Sequence, residues 1–177
     1  MKLTLAIATN ADAAELTTLD GTVAEHLTRE FGQGFWSSAP SERAVLNHLR
    51  RPRFAKTLVA RGSDRRIIAS LRLATKKPWA IDTAYFTVVR RPLYLTGMAV
   101  HPDLQRVGVG RLLMKEAEAL ARAWPADAIR LDAFDAAAGA GPFYVKCGFR
   151  EMARVTYKKN PLVYFELLLS PRGANTE

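Results

Sequence analysis

The sequence lacks the residues that build covalent or metal frameworks. Cys147 is the only cysteine among 177 residues, so no intrachain disulfide can form. Beside it stand only three histidines, His26, His48 and His101, at no metal-ligand spacing, and no metal is expected. No apolar run approaches the ~20 residues that a membrane span requires. The N-terminal stretch meets Asn10 and Asp12 too early for a signal-peptide apolar region. These features point to a cytoplasmic chain without a membrane partner. Two phosphate-binding motifs are also missing. Position 113 is leucine where a dinucleotide fingerprint needs its third glycine, and no Gly-Lys-Ser/Thr is present for a P-loop. No Gly-x-Ser-x-Gly nucleophile elbow occurs.

Acidic residues are scarce: 17 against 26 lysines and arginines, a net charge of +9. The arginines are scattered, as in Arg50, Arg51, Arg53, Arg61, Arg65, Arg66, Arg90 and Arg91, without aromatic interleaving. That pattern reads as a solvated basic surface able to attract a phosphorylated ligand, and it argues against nucleic acid.

Apolar residues make up 49% of the chain. The length suits one domain, over 1–170, with a polar tail at 171–177. The pattern predicts a strand over 3–8 and a helix opened by the capping box Thr9-Asn10-Ala11-Asp12, with Leu16 and Leu19 on its apolar face. A second helix is expected over 22–31, and a third, short one begins at Ser41. Strands over 54–61 and 65–75 flank Gly62-Ser63-Asp64, a hairpin signal. Residues 76–92 are irregular, and 93–100 read as a central strand. The helix over 110–124 carries Leu113, Ala117, Leu120 and Trp124 in one stripe, with Glu118 and Arg122 as an i,i+4 pair. A strand over 129–134, a short helix over 143–147 capped by Gly148, and strands over 149–158 and 162–169, divided by Asn160-Pro161, complete the chain.

Gln105-Arg106-Val107-Gly108-Val109-Gly110 lies between the central strand and the longest-patterned helix. A helix start presents unpaired backbone N–H groups and the positive end of the helix dipole, which together bind phosphate. Gly108 and Gly110 let backbone and ligand approach closely. Arg106 and Arg111 can neutralise remaining charge.

Met98-Ala99-Val100-His101-Pro102 followed by Gln105-x-x-Gly108-x-Gly110 resembles the acetyl-coenzyme A-binding motif of the GNAT (GCN5-related N-acetyltransferase) superfamily. Gly141-Pro142-Phe143-Tyr144-Val145-Lys146-Cys147-Gly148-Phe149 is similar to that family's later signature. The resemblance implies an α/β (α+β) GNAT fold: a mixed, mostly antiparallel sheet of about seven strands flanked by helices, splayed between the fourth and fifth strands. It implies that Met98, Ala99 and Val100 hold the pantetheine arm of acetyl-CoA by backbone hydrogen bonds. It gives the pyrophosphate to Gln105, Arg106, Val107, Gly108, Val109, Gly110 and Arg111. It places Tyr144 near the sulfur as general acid. It also leaves a homodimer open, since the last strands often pair between subunits.

This chain departs from the family pattern in three places. The central strand, Tyr94-Leu95-Thr96-Gly97-Met98, has no carboxylate to act as base, which leaves Asp82, Glu30 or His101 acting through water. Position 137 is alanine where many members have asparagine, with Asp135 as a partial substitute. Residues 136–141 are unusually small. The acceptor pocket implied by the family falls near Phe31, Phe35, Trp36, Trp79, Asp82, Tyr85 and Phe86. The expected reaction is acetyl transfer from acetyl-CoA to a primary amine, of a small molecule first. A protein N-terminal or lysine acetyltransferase and a non-catalytic CoA-binding regulator are the alternatives.

Overall fold

In the computed structural model, which describes residues 3–169, packing divides the chain into two compact units. One holds the residues up to Leu73 together with Thr96–Ala117, and the other holds Ala74–Leu95 and the described residues from Glu118 onward.

In the first unit, β1 (Thr4–Ile7) runs antiparallel to β2 (Ala55–Arg61), with Thr4 opposite Arg61 and Ile7 opposite Leu58. Between them in sequence lie α1 (Ala13–Phe31) and α2 (Glu42–Leu49). The expected capping box is present: the Asp12 carboxylate accepts the Thr9 N–H at 2.7 Å. Ser41 Oγ caps α2 by accepting the Ala44 N–H at 3.3 Å. Where two helices were expected, α1 is continuous over 19 residues. A glycine inside a helix costs about 1 kcal/mol, too little to break one that buries Leu16 and Leu19 against Val45, Val59 and Ile67, with Val23 packed on the same cluster. The helix is also tied down by charge. Arg61 pairs with Asp12 at 2.6 Å and Glu15 at 3.3 Å, and Glu15 accepts the Ile67 N–H at 2.7 Å. Ile67 opens β3 (Ile67–Ala74), most of whose residues are buried.

In the second unit, β5 (Ala128–Phe134) pairs antiparallel with β7 (Asn160–Leu168) along its whole length, from Ala128↔Leu168 to Phe134↔Leu162. β7 pairs in turn with β6 (Arg150–Tyr157). Asn160-Pro161 does not divide these strands as expected. The turn is Lys158-Lys159, at φ 46° and 69°, and Asn160 already faces Tyr157 across the ladder. Two left-handed residues match the twist of a two-residue hairpin, a geometry adopted here without asparagine or glycine. α4 (Gly141–Lys146) starts two residues earlier than expected, since Pro142 suits a first helical turn. Gly148, at φ 90°, ends it.

Residues 76–92 contain one short 3-10 turn and are held at three buried polar points. Tyr164 accepts the Asp82 N–H at 3.1 Å and donates to the Ala80 carbonyl. Arg130 and Glu166, 4% and 3% exposed, pair at 2.9 Å. Arg130 also donates to the Thr87 carbonyl, Glu166 accepts the Thr87 N–H at 3.3 Å, and the guanidinium lies over the Phe86 ring.

β4 (Pro92–Val100) and α3 (Val109–Ala123) complete a seven-stranded mixed sheet with the strand order β1-β2-β3-β4-β5-β7-β6. β4 and β5 are parallel neighbours over only three pairs, from Pro92↔Ala128 to Tyr94↔Arg130. Their ladder stops there although both strands continue, the parting that the family resemblance implied. Along α3 the buried residues are Val109, Leu113, Met114, Ala117 and Ala121. Leu120 and Trp124 of the expected stripe are only half-buried, and Glu118 and Arg122 pair at 3.2 Å.

Candidate functional site

The loop between β4 and α3 leads through a short 3-10 turn into the start of the helix. His101 opens a 3-10 turn over Pro102–Leu104, its Nδ1 accepting the Asp103 N–H at 3.4 Å. Gln105 Nε2 donates to the Val100 carbonyl at 3.2 Å, which closes the root of the loop. Arg106 at φ 62° and Gly108 at φ 95° then alternate with ordinary residues. Alternating left-handed and right-handed residues turn successive N–H groups to one side, the concave arrangement that receives anions. Leu112 N–H is the first to close onto the helix, on Gly108 O at 3.0 Å, so the N–H groups of Val109, Gly110 and Arg111 have no partner within it. Arg106, Val107, Gly108 and Arg111 are exposed, Val109 is buried as the anchor, and no acid occupies the first turn of α3.

Met98, Ala99 and Val100 precede this loop on β4, and Ala99 is buried in the core of the first unit. Gly97 just before them has φ 59° in mid-strand. An added Cβ there would meet nothing within 4 Å, so the backbone angle rather than space demands glycine.

Gly97 also lines a cavity of about 150 Å³ in the first unit, shared with Asp20 of α1, His48 of α2, Thr57 of β2, and Ser70 and Arg72 of β3. Burial pushes the Asp20 carboxyl up to about 6, and among the described residues no hydrogen bond or neighbouring cation offsets it. Burial also pushes the Arg72 guanidinium down, although its Nε donates to Thr96 Oγ1 at 2.9 Å. His48 is held below the usual histidine value by burial, then by Arg72 and Arg51. The sequence gives one sign of this cavity: Asp20 follows Leu16 by four residues and so falls on the buried stripe of α1. Splitting that helix at Gly21 hides it.

In the second unit, Tyr144 is 6% exposed, with Phe143, Phe149 and Phe165 around its ring. Burial, then the charges of Asp132 and Cys147, raise its phenol well above the ordinary value, so it is protonated at neutral pH. Asp132 is itself raised by burial.

The remaining sequence candidates fall in both units. Phe31, Phe35 and Trp36 belong to the first unit and none lines its cavity. Trp36 donates from its indole to the Gly32 carbonyl at 3.0 Å and its ring covers Gly34, where a Cβ would lie 2.5 Å away. Trp79 (85% exposed) and Tyr85 lie on the surface of the second unit, whereas Phe86 is buried and stacks on Tyr164. Asp82 is exposed and accepts the Ala84 N–H at 3.0 Å as a turn cap. Glu30 is exposed near the end of α1, and Asp135 pairs with Arg154 at 2.8 Å. Among the described residues no group of three His, Cys, Asp or Glu side chains could hold a metal ion, and no helix is long and apolar enough to cross a membrane.

The Acetyltransferase (GNAT) family model matches residues 22–149. No curated protein matches the chain. Solved structures do. The ribosomal-protein-S18-alanine N-acetyltransferase of Escherichia coli superposes with a TM-score of 0.73 at 16% identity, covering 99% of both chains. The PaiA N-acetyltransferase of Thermoplasma acidophilum, solved with coenzyme A, gives 0.72 at 16% identity over 93% of this chain and 98% of that one. YncA of Salmonella typhimurium, a putative acetyltransferase solved with acetyl-CoA, gives 0.70 at 17% identity over 98% of each. At such identities these likenesses speak for the fold. The family match spans most of the sheet and both signature segments, and by it the chain belongs to the GNAT family of acetyltransferases.

Proposed function

We propose that residues 1–170 act as one acetyltransferase domain that moves the acetyl group of acetyl-CoA to a primary amine of a small molecule. The observation that carries the donor half is the loop after β4, with left-handed Arg106 and Gly108 and three N–H groups unpartnered within α3. Those amides, with Arg106 and Arg111, suit a pyrophosphate. The family resemblance gives Met98, Ala99 and Val100 the pantetheine arm, and two of the structural neighbours carry CoA or acetyl-CoA in their crystals. The acceptor half rests on the half-open cavity of about 150 Å³ beside Gly97, whose size suits a small group better than an extended peptide.

In this reading a neutral amine attacks the thioester carbonyl carbon. A C–N bond forms, the C–S bond breaks, and the sulfur leaves as a thiolate that takes up a proton. A backbone N–H of β4, such as that of Val100, stabilises the oxyanion. Holding amine and thioester together supplies much of the acceleration. The family resemblance gives Tyr144 the part of proton donor, and its burial alters that part. A phenol raised this far gives a full proton to a thiolate only uphill, so its contribution is a hydrogen bond to the developing sulfur charge.

Calorimetry with coenzyme A, followed by thiol release from acetyl-CoA over polyamines, aminoglycosides, amino acids and peptides, tests the reading. CoA binding with release on small amines is expected. Release only with peptides would move the activity to protein N-termini or lysines. Binding without release on any acceptor would make the chain a CoA-responsive regulator.

A further inference from the structure

Asp20 and Arg72 line the same cavity with opposite charges that do not neutralise each other. Among the described residues no cation lies within ion-pairing distance of the Asp20 carboxyl and no carboxylate within that distance of Arg72, and burial raises the Asp20 carboxyl. Arg72 acts instead on His48. A carboxylate and a guanidinium that are both taken partly out of water normally find each other. Here both charges are left for something else. His48 carries no compensating charge near neutral pH, being pushed toward its neutral form by burial, Arg72 and Arg51.

We propose that this cavity is the acceptor site and that the acceptor is a zwitterion of the amino-acid type, its ammonium group on Asp20 and its carboxylate on Arg72. This rests on the acetyltransferase reading above. An apolar cavity of about 150 Å³ takes a ligand the size of benzene, and a cavity of that volume here fits the roughly six non-hydrogen atoms of a small amino acid. Arg72 already spends Nε on Thr96, and a guanidinium offers five donors, so its terminal nitrogens suit a carboxylate. Asp20 is also the base that β4 lacks. It takes one proton from the bound ammonium, leaving a neutral amine to attack the thioester carbon. After the C–N bond forms, the nitrogen still carries an extra proton. That proton passes to the departing sulfur as the C–S bond breaks, which gives the amide and the free thiol. Asp20 then returns its proton to water.

The test measures thiol release from acetyl-CoA with each amino acid, with its amide and with the amine lacking the carboxyl group, for the wild type, Asp20→Asn, Arg72→Gln and Arg72→Lys. Coenzyme A affinity is measured for all four. At least one amino acid should be acetylated with kcat/KM ten-fold or more above its amide. Arg72→Gln should raise KM for that amino acid at least ten-fold more than for its amide, while Arg72→Lys restores part of the preference. Asp20→Asn should lower kcat about a hundred-fold for both. Coenzyme A affinity should not move. Equal use of amino acid and amide, or an equal effect of Arg72→Gln on both, overturns the proposal, and so does CoA binding with no amino acid acetylated. Failure of the wild type to bind coenzyme A would instead sink the donor reading.

Discussion

Removing the Asp20 charge should stabilise the fold in a pH-dependent way. Its carboxyl is raised from 3.8 to about 6 in the folded state, so the fold binds this proton more tightly than the unfolded chain does. The favourable contribution is complete below about pH 4 and is lost as pH rises through 6. At about 1.4 kcal/mol for each ten-fold change in proton affinity, this rise is worth about 3 kcal/mol, an upper figure because the side chain keeps some contact with water. Asparagine has the same shape and no charge to desolvate. Asp20→Asn should therefore match the wild type at pH 4 and exceed it by about 2–3 kcal/mol at pH 8. In a chain of this length each kcal/mol moves Tm by about 2–4 °C. Urea unfolding of both proteins from pH 4 to 8 measures the effect. His48 slopes the other way, because its folded value is lowered and its contribution is lost on acidification, but it is common to both proteins and cancels in the difference. A difference that stays flat with pH, or an Asn variant weaker at pH 8, would refute the reasoning. A gain in stability joined to a loss of kcat would identify Asp20 as a group kept for chemistry.

Other substitutions separate donor, acid and scaffold. Gly108→Val puts a branched side chain at φ 95° and should weaken coenzyme A binding at least ten-fold by calorimetry, while far-UV circular dichroism stays unchanged. Tyr144→Phe should lower kcat about ten-fold at constant coenzyme A affinity, and an unchanged kcat removes the phenol from the reaction. Glu166→Ala leaves Arg130 buried and alone and should cost about 3–5 kcal/mol in urea unfolding, whereas the pair Arg130→Met with Glu166→Leu should cost much less. Lys158→Asn with Lys159→Gly should raise stability by about 1 kcal/mol, because left-handed angles strain lysine more than asparagine or glycine. No gain in Tm would refute the strain argument.

Much of this was legible in the sequence wherever local chemistry and position coincide. Gln105 to Gly110 announced a phosphate loop because glycine spacing and a following helix are local signals, and the capping residues Thr9, Asp12 and Ser41 mark their helix starts in the same way. Three features stayed hidden for physical reasons. The sequence suggests a new helix at Thr22, yet tertiary packing of Leu16, Leu19 and Val23 carries one helix through Gly21. Lys158-Lys159 has no turn signature, because the ladder between β6 and β7 imposes the geometry. The Asp20, His48 and Arg72 cavity draws on residues 52 positions apart in sequence, from α1 to β3. Neither hydrophobic period nor motif spacing reports such a meeting.

The Arg130–Glu166 pair has a consequence for how sequences of this kind drift. Each partner alone is a buried charge, and the step that removes one of them costs about as much as a small protein's whole margin of stability. Single changes at either position are therefore purged, and the two can be replaced only together or after another change has stabilised the fold. Among distant relatives, positions 130 and 166 should switch as a couple, from ion pair to apolar pair, with mixed combinations missing. The Thr87 backbone, which leans on both side chains, should change its path in the same step.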